Sequence, residues 1–83
     1  MSAATPTILV VEDESSIASF VALYLKNAGY GVRTAASGGE ALNQVAREMP
    51  GLIVLDLMLP DIDGIEVCKR VRQTSDVPIL MLT

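Results

Sequence analysis

With 83 residues the chain has room for one small domain, since domains run from ~50 to ~250 residues, and a two-domain enzyme is excluded. At 51% hydrophobic and 19% charged it is too apolar for disorder, and six basic against ten acidic residues give a formal charge of −4, which argues against nucleic acid or an anionic membrane surface as its partner. Zero histidines exclude an imidazole-based triad and the usual catalytic zinc sites, and one cysteine, Cys68, excludes an internal disulfide, so carboxylates must carry any chemistry.

Residues 1–6 are small and polar and read as a disordered N-terminus, leaving 7–83 as the domain. Thr7 to Val11 is a continuous apolar run too short for a helix, as suits a strand covered on both faces of a parallel sheet. From Ser15 to Ala28 the residues Ile17, Phe20, Val21, Tyr24 and Ala28 recur at spacings of three and four, and Gly29 stands where a helix ends, which predicts an amphipathic helix with that stripe inward. Gly31 to Ala36 is a second strand. Ser37-Gly38-Gly39-Glu40 matches a capping box and starts a second helix with Ala41, Leu42 and Val45 inward, ended by Met49-Pro50-Gly51. Leu52 to Leu55 is a third strand, and Ile65 to Arg72 a third helix with Val67, Cys68 and Val71 inward. Val77 to Leu82 is a fourth strand with Pro78 near its start. The order β-α-β-α-β-α-β calls for right-handed crossovers and a parallel sheet with helices on both faces. No secretory pattern or membrane-length apolar run is present, and the segment reads as cytoplasmic.

Open parallel sheets bind ligands beyond the carboxyl ends of their strands. Glu12, Asp13 and Glu14 follow the first strand, Asp56 follows the third, and Asp61 and Asp63 lie in the loop beyond, so six of the ten acids gather there. If the first and third strands are neighbours, ~4.8 Å apart, then Glu12, Asp13 and Asp56 converge. Two like charges ~4 Å apart repel by roughly 4 kcal/mol at an effective dielectric of 20, so the cluster should either raise a pKa or hold a hard divalent cation such as Mg2+. Glu14, Asp61 and Asp63 are read as ordinary helix-start and loop charges. Met58 can be read as a gap-filling side chain and Cys68 as a buried small hydrophobe.

Three blocks of the sequence, Ile8-Leu9-Val10-Val11-Glu12-Asp13-Glu14, Leu55-Asp56-Leu57-Met58-Leu59-Pro60-Asp61-Ile62-Asp63-Gly64 and Pro78-Ile79-Leu80-Met81-Leu82-Thr83, resemble the receiver domain of two-component response regulators. The wording is most similar to receivers of the winged-helix transcription-factor branch. The resemblance implies a flavodoxin-like fold with strand order 2-1-3-4, with Asp56 as phosphoacceptor from a sensor histidine kinase. It also implies Mg2+ held by Asp13, Asp56, Glu12 through water, and the Met58 backbone carbonyl, with Thr83 as the hydroxyl that senses the phosphate. Phosphoryl transfer through a loose transition state asks mainly for an in-line nucleophile and charge neutralisation, which such a site supplies.

Receivers of this kind continue through a fifth strand, bearing a lysine, and two further helices, so the chain reads as C-terminally truncated, with phosphorelay as the function of its parent. Self-association through the exposed fourth strand or helix faces, or completion by a C-terminal fragment, is expected of an uncovered apolar edge. Two other readings stand beside it: an assembly fragment without phosphotransfer, and an aspartate-nucleophile phosphatase, which would need an aspartate where Met58 stands.

Overall fold

The two longest β-branched runs become the centre of the sheet. In the computed structural model, which describes residues 6–82, β1 (Thr7–Val11), α1 (Ser15–Asn27), β2 (Gly31–Ala35), α2 (Gly38–Arg47), β3 (Leu52–Asp56), α3 (Gly64–Arg72) and β4 (Ile79–Leu82) follow one another. Residues 1–5 and Thr83 lie outside the described residues, and with them most of the expected disordered terminus and the expected phosphate-sensing hydroxyl. The four strands are all parallel in the order β2-β1-β3-β4, the order and direction that the resemblance implies. The Pro6 carbonyl accepts a 3.1 Å bond from the Gly31 N–H, so the chain is tied to β2 one residue before β1.

Strand side chains alternate between faces, and the core divides accordingly. Leu9, Val11, Ile53 and Leu55 point to the face covered by α2 and α3, where they pack with Ala41, Val67 and Val71. Ile8, Val10 and Val54 point to the face covered by α1, against Val21 and Leu25. Ile8 through Val11 and Ile53 through Leu55 are all buried, as their continuous hydrophobicity predicts. Among the described residues only one side of β4 is covered: Ile79 and Met81 pack towards α2 and α3, whereas Leu80 and Leu82 are exposed.

The structure corrects the predicted stripe of α1. Phe20 and Tyr24 are 72% and 70% exposed and Ile17 is also exposed, while Ala18 and Ala22 are buried and Val21 and Leu25 half-buried against the sheet. This helix is apolar around much of its circumference, so spacings of three and four fit two stripes. The stripe with two alanines wins because small side chains let the helix approach Ile8 and Val10 closely. Its end is as predicted, with Gly29 at φ 103°, in the left-handed region that favours glycine.

The other helix boundaries follow local capping. The Ser37 Oγ accepts from the Glu40 N–H at 3.1 Å, and the Glu40 carboxylate reaches back to the Ala36 N–H at 3.2 Å. At α3 the Asp63 carboxylate accepts from the Glu66 N–H at 2.9 Å, which is the ordinary helix-start role expected of it. The fourth strand begins at Ile79, two residues later than predicted, since Pro78 has no N–H to give the ladder and contributes its carbonyl to the Ile53 N–H instead.

Candidate metal and phosphoacceptor site

Strand order reverses between β1 and β3: the crossover from β1 leads to β2 on one side, and β3 lies on the other. Val11 pairs with Leu55, so the chain leaves both strands at the same level, Glu12 and Asp13 from one tip and Asp56 from the other. Carboxylate oxygens of Glu12, Asp13 and Asp56 lie within 4.8 Å of one another. Glu12 and Asp56 are half-buried and Asp13 is exposed, which leaves the cluster open to solvent on one side.

Each tip is held by backbone bonds that local sequence does not reveal. The Glu12 N–H donates to the Ala35 carbonyl at 3.0 Å, anchoring it to β2, and the Leu57 N–H donates to the Leu82 carbonyl at 3.2 Å, anchoring Asp56 to β4. The Asp56 Oδ1 accepts from the Met58 N–H at 3.1 Å, and the Gly64 N–H closes the loop onto the Leu57 carbonyl at 3.0 Å. A Cβ at Gly64 would stand 2.6 Å from the Asp56 carbonyl oxygen, so only glycine allows the loop to fold back there.

Burial pushes the Glu12 carboxyl above its ordinary value; the bond it accepts from the Glu14 N–H, 3.1 Å, pulls the other way, and the charges of Asp56 and Asp13 add to the rise. Among the described residues the ion pair formed is Glu66–Arg70 at 3.1 Å on α3, so no basic side chain neutralises the three acids. Three hard oxygen donors in such a space suit Mg2+, whose opposite ligands at ~2.1 Å each stand about 4 Å apart. The residues present therefore fit the ion.

Of the six acids expected at this end of the sheet, three converge. Glu14 occupies the N-cap position of α1 without a side-chain bond, Asp63 caps α3, and Asp61 reaches across to α2. The Asp61 contact is the feature that sequence reading missed, because its partners Gly38 and Gly39 are 23 and 22 residues away and no local pattern encodes them. The Met58 side chain is 79% exposed and fills no gap, which removes the packing reading of that residue. Cys68 is half-buried against the α2 and α3 core, and Thr83 lies outside the described residues.

The family model for the response regulator receiver domain matches residues 8–83. The alkaline phosphatase synthesis transcriptional regulatory protein PhoP of Bacillus subtilis is 56% identical over 77 residues, covering 92% of this chain and 32% of that protein. The transcriptional regulatory protein AfsQ1 of Streptomyces coelicolor is 47% identical over 78 residues, 94% of this chain and 35% of its own length. Among solved structures, the chemotaxis protein CheY4 of Vibrio cholerae superposes with a TM-score of 0.89 at 40% identity, covering 94% of this chain and 68% of that one. The chain thus spans about a third of the length of the two transcriptional regulators and two thirds of the chemotaxis protein. No helix among the described residues is long and apolar enough to cross a membrane.

Proposed function

This chain belongs to the response regulator receiver domain family, the phosphorelay signalling domain of two-component systems, and within that family we propose that Asp56 is its phosphoacceptor. The observation that carries this reading is the convergence of Glu12, Asp13 and Asp56 within 4.8 Å at the tips of two adjacent parallel strands. A carboxylate oxygen of Asp56 attacks the phosphorus of a phosphohistidine on a sensor histidine kinase. An O–P bond forms, the P–N bond breaks, and its electron pair returns to the imidazole. Asp56 is half-buried and its Oδ1 is held by the Met58 N–H, which orients the carboxylate before transfer.

Asp13 and Asp56 would hold Mg2+, with Glu12 helping through water and the Met58 carbonyl adding an oxygen, as the family resemblance implies and the grouping of the three carboxylates supports. When bound, the ion neutralises the charge that builds on the transferring oxygens. The residues themselves supply the nucleophile, its orientation and an unpaired negative field that draws the cation in. The Thr83 hydroxyl is assigned to the phosphorylated state on sequence resemblance alone. Because PhoP and AfsQ1 are named transcriptional regulatory proteins, the output of a longer parent is proposed to be control of transcription, with the acidic chain itself not touching nucleic acid.

Incubation with Mg2+ and a small phosphodonor tests the reading. The expected result is one phosphoryl group per chain, on Asp56, absent in Asp56→Asn and absent without a divalent cation. Labelling that persists in Asp56→Asn, or that ignores the metal, would overturn it.

A further inference from the structure

We propose that Asp61 is a positioning residue for the Asp56 site, clamping the loop between β3 and α3 onto the N-terminus of α2 and so holding the Met58 carbonyl in place. The role for Met58 rests on the proposed metal site; the clamp itself rests on geometry. The two oxygens of Asp61 accept one backbone N–H each: Oδ1 from Gly38 at 2.9 Å and Oδ2 from Gly39 at 2.8 Å. The first turn of a helix leaves N–H groups without intrahelical partners. At α2 the Glu40 N–H is taken by Ser37 and the Ala41 N–H by the Ser37 carbonyl. Gly38 and Gly39 are left, and a residue from another loop takes both.

The two glycines make this approach possible. A Cβ at Gly38 would lie 2.9 Å from Val67 Cγ2 and 3.0 Å from the Ile62 carbonyl oxygen, and one at Gly39 would lie 3.1 Å from Asp61 Oδ2. The consequence is a closed circuit of bonds around the acidic cluster. The Glu12 N–H is held by Ala35, the chain runs on through Ser37 to Gly38 and Gly39, Asp61 grips those two, and its loop runs back to Met58, whose N–H is bound to Asp56. The tips of β1 and β3 are thereby braced through α2 as well as through the sheet. Asp61 lies three residues beyond Met58, near enough for its release to free the loop and the carbonyl on it.

The test compares the parent with Asp61→Ala, Asp61→Asn and Ser37→Ala. Ser37→Ala removes a different bond at the same helix end without touching the loop, so it controls for loss of α2 stability alone. In metal-free protein, amide hydrogen exchange at Leu57 to Asp63 should rise about tenfold in Asp61→Ala and stay within about twofold of the parent in Ser37→Ala. Mg2+ affinity by calorimetry should fall about tenfold in Asp61→Ala, the size typical of losing a group that orients a ligand, and less in Asp61→Asn, which keeps one acceptor. Parent-like exchange in Asp61→Ala, or equal changes in Ser37→Ala, would overturn the clamp. Failure of the parent to bind Mg2+ would overturn the metal site instead, and exchange would still decide the clamp.

Discussion

The two faces of the sheet are built to different degrees. On one, α2 and α3 close over Leu9, Val11, Ile53 and Leu55, and even Ile79 and Met81 of the edge strand find cover. On the other, among the described residues, α1 alone lies over Ile8, Val10 and Val54, and Leu80, Leu82, Phe20 and Tyr24 are exposed. The loop that carries Asp56 and Met58 leads into α3, and Asp61 fastens it to α2, so the candidate site is braced from the closed face. Glu12 and Asp13 stand in the short turn into α1, the helix of the open face, which otherwise presents apolar surface. The Asp56 loop is thus fastened from one side of the four strands, and the apolar surface open to contact lies on the other.

The sharpest way to break this contrast is to truncate equivalent leucines. Leu9→Ala, at a fully buried position on the closed face, should cost about 2–5 kcal/mol in urea unfolding, whereas Leu80→Ala on the open face should cost under about 0.5 kcal/mol. Equal losses would show that the open face is as tightly packed as the other.

A second effect concerns association. The exposed Phe20, Tyr24, Leu80 and Leu82 should make the chain self-associate at micromolar concentration in sedimentation experiments. The pair of changes Phe20→Ser and Leu80→Lys should return it to a monomer, and a parent that is already monomeric would contradict the expectation.

The smallest effect is one of pH. Bonds from the backbone N–H groups of Gly39 and Gly38 hold the Asp61 carboxyl below its ordinary value. A carboxyl lowered in the folded state stabilises the fold above its unfolded pKa, and that contribution is lost as pH falls through the folded value. Thermal midpoints measured from pH 5 downward should therefore drop further for the parent than for Asp61→Asn. The difference should be small, since the group is exposed and screened. A steeper decline in Asp61→Asn would reverse the sign and count against the bonds.

Much of this was legible in the sequence because the relevant signals are local or categorical. The continuous runs at β1 and β3, the capping box at Ser37 and the acids after two strands each state their role within a few residues. What stayed hidden depends on distant partners. Asp61 looks like any loop carboxylate until α2 is placed beside it. The true inner stripe of α1 could not be chosen without knowing how near the helix lies to Ile8 and Val10. The one-sided exposure of Leu80 and Leu82 follows from β4 being at the edge of this sheet, which periodicity over four residues cannot report.

In the proposed function one divalent cation is shared by the tips of β1 and β3. Titration of the chain with Mg2+, followed by the backbone amide signals, tests it most directly. A single saturable site is expected, moving residues 11–14 and 55–59 together with one midpoint and vanishing in Asp13→Asn. Independent midpoints for the two segments, or shifts confined to one of them, would contradict it.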